Sequence, residues 1–260
     1  MTEEPYRWVE AIANRREYIE HQLSTGSPIV AVSYRDGILL FTLGRERQKI
    51  FEIYDRIAMG GIGHPGDIER LRMAAIELTS TEGFTRSADD VSLRRLANYS
   101  LSPALKAAFE QIYGAPYLAR LLFAELGRAG GPNHFVTMEY DGSIHSSGGP
   151  FSRQPGEFGV ISGTRHSTGL MERYLKDRKL SELPLEEVIA VAANAWAVGH
   201  SSLERPESDE LPLDEELPRH LNEHLALTVV EAAVLDRTSP MPMTWKALRD
   251  EEIRPVLEKR

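Results

Sequence analysis

No cysteine occurs in the chain, so disulfides, thiolate nucleophiles and thiolate metal sites are excluded at the outset. No apolar run approaches the ~20 residues that a membrane-spanning helix needs, so no membrane partner is expected. There is no excess of positive charge either. Thirty Lys and Arg against 39 Asp and Glu leave a net charge of −9, and the basic residues are scattered, which argues against a nucleic-acid partner. The glycine-rich "AGGP" and "SSGGP" are not followed by Lys-Ser or Lys-Thr, so they read as turns and not as phosphate loops. "MGGIG" lacks an acidic ribose-binding residue and reads as a glycine turn between a hairpin and a helix. No cofactor is therefore expected. The opening "MTEEPYRWVE" is acidic and polar, unlike a signal peptide, and the cytoplasm is the expected location.

What is present is a regular succession of elements. Residues 4–23 predict a helix, because Trp8, Ile12, Ile19 and Leu23 fall on one stripe. "PIVAVSY" and "ILLFTL" flank Arg35-Asp36-Gly37, which predicts a hairpin. "KIFEIYDRIAMGG" predicts a second hairpin that turns at Asp55-Arg56, with Lys49, Phe51 and Ile53 on one face. Asp67 is the expected cap of a helix whose stripe is Ile68, Leu71, Ala75 and Leu78. A second helical stretch runs from about Val91 to Ile112, with Pro103 expected to break or kink it.

The second half reads as strands, helices and a final strand. "YLARLLFAEL", "NHFVTMEY" and "FGVISGT" are strands, with Asp141-Gly142 a turn between the last two. A short helix spans Thr168 to Lys176, an apolar-rich one spans 185–198, "ALTVVEAAVLD" is a closing strand, and about 238–260 is a polar tail ending in a helix. No linker divides the chain, so 1–260 reads as one domain. The order fits a four-layer αββα sandwich, an α/β (α+β) class of two antiparallel sheets flanked by helices. Residues 204–216 carry seven acids and read as a solvated loop, with an acidic docking site the alternative. His220 and His224, four apart, would suit zinc on a helix, but they lack the HExxH order, so they read as surface and no metal site is expected.

Five stretches in this order resemble a proteasome subunit, and specifically an α-type subunit of the bacterial kind. "REYIEHQLSTGS" is similar to the end of that subunit's leading helix, and "IVAVSYRDGILL" to its first hairpin. "QKIFEIYDRIAMGGIGHPGDIERLR" is similar to its lysine strand, glycine turn and following helix. "MEYDGSI" with "VISGTRHSTGLMERYL" resembles its later strand and strand-to-helix junction, and "AAVLDR" its last strand. The resemblance implies the N-terminal nucleophile hydrolase fold. It also implies a heptameric ring that stacks on β-subunits, gates substrate entry and takes part in protein degradation.

In that family the β-subunits cut peptides and the α-subunits do not. Cutting requires a nucleophile that has become the chain's N-terminus, a nearby lysine, a carboxylate to place the lysine, and an oxyanion hole. Ser27 after Gly26 and the lysine Lys49 would fill the first two roles, making a self-processing serine hydrolase the alternative reading. The carboxylate position falls at Leu43, the later serine falls at His166 or shifts to Ser167, and the late aspartate finds only Gly199-His200. Residues 4–23 also form a plausible helix and not a disposable leader. A silent Ser27 is the favoured reading.

For an α-type chain the resemblance gives Lys49 another role. It would receive the terminal carboxylate of a tail from an ATPase or other activator ring, beside the Gly63 turn and with Glu17 near the same pocket. Without the resemblance, Lys49 reads as a strand-edge charge, and Glu17 as a partner of Arg15 or His21 on its own helix. Tyr18 resembles a gate-stabilising tyrosine. Archaeal and eukaryotic relatives begin with a longer tail bearing Tyr-Asp-Arg. Pro5-Tyr6-Arg7 resembles the actinobacterial form instead, with Met1–Tyr6 a short plug that brings Tyr6 to the gate.

Overall fold

The computed structural model describes residues 5–45, 47–111, 113–147, 156–239 and 242–258, except for the side chains of 5–7 and 129. Helix α1 (Pro5–Leu23) leads into strands β1 (Ile29–Tyr34), β2 (Gly37–Gly44), β3 (Ile50–Tyr54) and β4 (Ile57–Gly63). Helices α2 (Pro65–Thr85), α3 (Leu93–Arg95) and α4 (Ser102–Glu110) follow, then β5 (Ala119–Glu125), β6 (His134–Met138), β7 (Ile144–Ser147) and β8 (Phe158–Ile161). The chain ends with α5 (Arg165–Leu175), α6 (Leu185–Glu204), α7 (Glu216–Leu225), β9 (Val229–Asp236), β10 (Trp245–Ala247) and α8 (Asp250–Glu258).

The strands form two antiparallel five-stranded sheets, β10-β9-β2-β1-β8 and β3-β4-β5-β6-β7. Every residue of β1 is buried, and so is every residue of β5, because each of these strands is covered on both faces. This is why they read as unbroken apolar runs and not as alternation. Ile29, Ala31, Leu40, Ala58, Leu122 and Phe135 fill the space between the sheets. Val30, Val32, Leu39 and Phe41 point the other way, onto Met171, Trp196 and Ile253 of the helices on that face. Met59, Leu121 and Phe123 meet Leu71, Leu96 and Leu105 on the opposite outer face. The result is the expected four-layer arrangement of mixed α and β structure.

Several local expectations change. Lys49 lies just before β3, and a bulge between Glu52 and Tyr54 shifts the register, so Ile50 and Ile53 are the buried pair. The cap of α2 is His64. Asp67 sits in the first turn, where its carboxylate accepts the Leu118 amide at 3.0 Å. Thr79 and not Leu78 completes the buried stripe of α2. Pro103 does not break its helix. The chain passes through a π-helical turn, Leu96–Leu101, and Pro103 falls in the first turn of α4, where a missing N–H costs little. α5 starts at Arg165 because the Thr164 hydroxyl caps the Ser167 amide.

Strands β7 and β10 and helix α7 join the expected set. The C-terminal segment also differs from a polar tail. Thr244, Ile253 and Leu257 are buried, and α8 lays its apolar stripe on the β9 side of the core. In α1, Ile19 and Leu23 are buried against Phe109 and Tyr140, Ile12 is half-buried, and Trp8 is exposed.

Arg120 holds α1 to the sheets. It is 1% exposed, its Nε lies 2.9 and 2.8 Å from the two Glu139 oxygens, and its Nη1 donates to the Ser162 carbonyl at 2.6 Å. Its remaining nitrogen reaches Glu20 of α1 at 3.2 Å. Glu20 also accepts from the Tyr140 hydroxyl at 2.8 Å, and burial together with that bond pushes the phenol pKa up. Among the described residues no helix is long and apolar enough to cross a membrane.

Candidate functional site

The segment that follows α1 (Thr25–Ser27), the loop before β3, the end of β4 and the last turns of α6 line an open cavity of about 740 Å³. Ser27, Lys49 and Gly63, which are distant in sequence, all line it. Gly63 has φ +133°, and a Cβ there would collide with the Leu118 carbonyl, so this turn requires glycine.

The Gly26 carbonyl accepts the Gly163 amide at 3.0 Å, and the Gly26 amide closes on Leu23 at 2.8 Å, so the 26–27 junction is tied on both sides. The Ser27 hydroxyl donates to the Leu43 carbonyl at 2.7 Å and accepts from Trp196 Nε1 at 3.2 Å. Its proton is therefore committed to a carbonyl oxygen, which is not a base. Leu43 supplies only its backbone here, since its side chain is buried in the core.

Lys49 Nζ donates to the Ser27 carbonyl at 3.1 Å. Among the described residues no carboxylate forms an ion pair with it. The nearby Glu231 carboxylate of β9 is spent on backbone: it accepts the Lys49 amide at 3.0 and 2.9 Å and the Ile50 amide at 2.8 Å. Burial pulls the Lys49 pKa down to about 8, against the opposing pull of Glu231, and pushes Glu231 up. Each of the two groups is shifted toward its neutral form, so desolvation outweighs their attraction at both. A half-buried ammonium with one carbonyl partner has donors left for an anion.

The other positions weighed for catalysis do not assemble a proton relay. His166 faces the acidic loop, with Nε2 3.0 Å from the Ser208 carbonyl and Nδ1 3.4 Å from Asp209. Ser167 is buried, and its hydroxyl lies 2.7 Å from both Ser162 Oγ and the Gly199 carbonyl. Gly199 brings only its backbone to that place. Glu17 and Tyr18 are exposed on α1 and do not line the cavity of this chain. The Tyr6 side chain lies outside the described residues.

The reading of His220 and His224 as surface residues is corrected by the structure. They face His200 with ring centroids 5.3 and 4.2 Å away, and His200 in turn stacks on Trp196 at 4.7 Å. His200 and His224 line the same cavity as Ser27 and Lys49. Burial and the neighbouring imidazoles pull the His200 pKa down to about 3, and burial lowers His220 as well. Sequence reasoning missed His200, Trp196 and Glu231. The spacing of His200 to Glu204 was visible, but nothing local showed that α7 folds back onto it.

The family model described as "Proteasome subunit" matches residues 23–198. The chain is similar to the proteasome subunit alpha of Nocardioides sp., at 27% identity over 96% of this chain and 87% of the relative. It is 28% identical to that of Streptomyces coelicolor, over 96% of this chain and 87% of the relative. The corresponding subunit of Frankia casuarinae is 29% identical over 88% and 85% of the two chains.

Proposed function

The chain belongs to the proteasome subunit family, and from that premise we propose that it is a non-catalytic α-type subunit of a bacterial proteasome core. It forms a heptameric outer ring in the cytoplasm, docks on β-subunits and gates substrate entry to their peptidase chamber. The observation that carries the reading is the state of Ser27. Its hydroxyl proton goes to the Leu43 carbonyl, its oxygen accepts from Trp196 Nε1, and the helix before it has Ile19 and Leu23 buried. A nucleophile of this type needs a free amine and a lysine placed by a carboxylate. The second of these is unsupported here, since among the described residues no carboxylate forms an ion pair with Lys49.

Lys49 then serves as a receptor. Its ammonium, on the wall of the cavity beside the Gly63 turn, suits the terminal carboxylate of an activator's C-terminal tail. Glu17, exposed on α1, would complete such a pocket from a neighbouring subunit, and Tyr6 and Tyr18 would lie toward the pore. Exposed Trp8, Val9 and Tyr18 on α1, and Met73, Leu78 and Phe84 on α2, give the chain apolar surface to bury on assembly.

One observation favours a second reading, a self-processing serine hydrolase that uses Ser27 and Lys49. These residues share a cavity, and Lys49 Nζ is 3.1 Å from the Ser27 carbonyl. Co-expression with a β-subunit from the same genome separates the two. The α-subunit reading expects seven-fold rings in electron micrographs and peptidase activity that persists in Ser27→Ala. A monomeric chain that never joins the β-subunit, or activity lost in Ser27→Ala, overturns it. For Lys49, a peptide with a free C-terminal carboxylate should bind the wild-type complex and not Lys49→Met.

A further inference from the structure

One group of side chains has no part in that reading. Helix α6 carries His200 and Glu204, and α7 carries His220 and His224. Each pair is four residues apart and so projects from one face of its helix. The loop between the helices brings the two faces together. His200 Nδ1 stands 3.1 Å from His220 Nε2. The Glu204 carboxylate lies 3.8 Å from His200 Nδ1, 3.7 Å from His224 Nε2 and 4.0 Å from His220 Nδ1. One ligand atom from each of the four residues falls within 4.8 Å of all the others.

With one ligand atom taken from each residue the separations reach 4.8 Å, so the side chains must draw in to grip a tetrahedral ion. Zinc with arms of ~2.0–2.1 Å has ligand-to-ligand edges of roughly 3.3–3.4 Å. The imidazoles are mostly shielded from water, with side chains 21%, 16% and 19% exposed, while Glu204 at 54% can turn inward. Three nitrogens and one carboxylate suit zinc or a related divalent transition ion far better than calcium or magnesium, which prefer all-oxygen shells.

We propose that His200, Glu204, His220 and His224 form a zinc site that clips α7 onto α6. Four protein ligands close the coordination sphere, so the ion is structural and carries no water for hydrolysis. It fixes the acidic loop 205–215 at both ends and sets the wall of the cavity formed by His200 and His224. The alternative is a plain stack of imidazoles on Trp196 with no ion.

The test uses the full-length chain, stripped with a chelator and titrated with zinc by calorimetry, with metal content measured after gel filtration. The expected result is saturable binding of one zinc per chain and a higher melting temperature. His220→Ala/His224→Ala should lose the bound zinc. Glu204→Gln, a change at an exposed side chain, should weaken binding by at least the ~10–100-fold that outer-sphere changes cost. If the double variant fails to fold, cobalt(II) in the wild-type chain decides: intense visible bands of a tetrahedral site support the proposal, and a weak octahedral spectrum overturns it. No saturable binding, or equal binding by wild type and Glu204→Gln, also overturns it. Ring assembly is not part of this test, so its outcome leaves the α-subunit reading untouched.

Discussion

Arg120 and Lys49 are both cations withdrawn from water near the end of α1, and they are built in opposite ways. Arg120 is 1% exposed and satisfied by two carboxylates and two backbone carbonyls. Lys49 has one carbonyl, and the Glu231 carboxylate that acts on it is occupied by backbone amides. A planar guanidinium with all three nitrogens engaged is a fastener. An ammonium left short of partners lowers its own pKa and waits for an anion. Proximity of charge to a cavity therefore does not identify a ligand site. The unfilled donors do.

Substitutions can sharpen or break this contrast. The largest effect is expected from Arg120→Met, which strands Glu139 in the interior and releases α1. The loss should be ~3–5 kcal/mol in denaturant unfolding, and a near-neutral result would remove Arg120 from the role of fastener. Lys49→Met should act in the reverse sense. The unfolded chain keeps its Lys49 proton up to pH 10.5, whereas the native chain releases it near pH 8, so native stability rises with pH across that interval. Lys49→Met should abolish that rise and gain on the order of 2–3 kcal/mol at pH 7. A variant with an unchanged pH profile would show that the ammonium is better solvated than its surroundings indicate. Glu20→Gln weakens the link from Arg120 to α1 while leaving the Glu139 pair, so ~1–2 kcal/mol and faster amide exchange in α1 are expected. Ser27→Ala removes one hydroxyl bonded to Leu43 and Trp196, and a change of about 1 kcal/mol or less in melting experiments fits a silent residue.

The parts of this contrast were unequally legible in the sequence. The central strands were clear, because burial on both faces writes unbroken apolar runs such as "IVAVSY". The edge strands β7 and β10 were not, because each has three or four residues and little burial. The burial of Ile253 and Leu257 was hidden by a helix whose outer face is charged. Ser27, Lys49 and Gly63 line one cavity, a juxtaposition that no local pattern in the sequence displays. Glu231 could not be foreseen, since it caps Lys49 from 182 residues away. His200 was missed for a related reason. Its partners lie across an acidic loop whose composition signals solvent and gives no hint that the chain turns back.

The central claim is that Ser27 stays within the chain and is never unmasked. The most direct measurement is the intact mass of the chain recovered from the assembled complex with its β-subunit, where any self-processing would have run to completion. The account predicts a mass that retains the residues before Ser27, while the β-subunit loses its own leader. A mass corresponding to 27–260, with a free Ser27 amine, would contradict it and return Ser27 and Lys49 to the role of a catalytic pair.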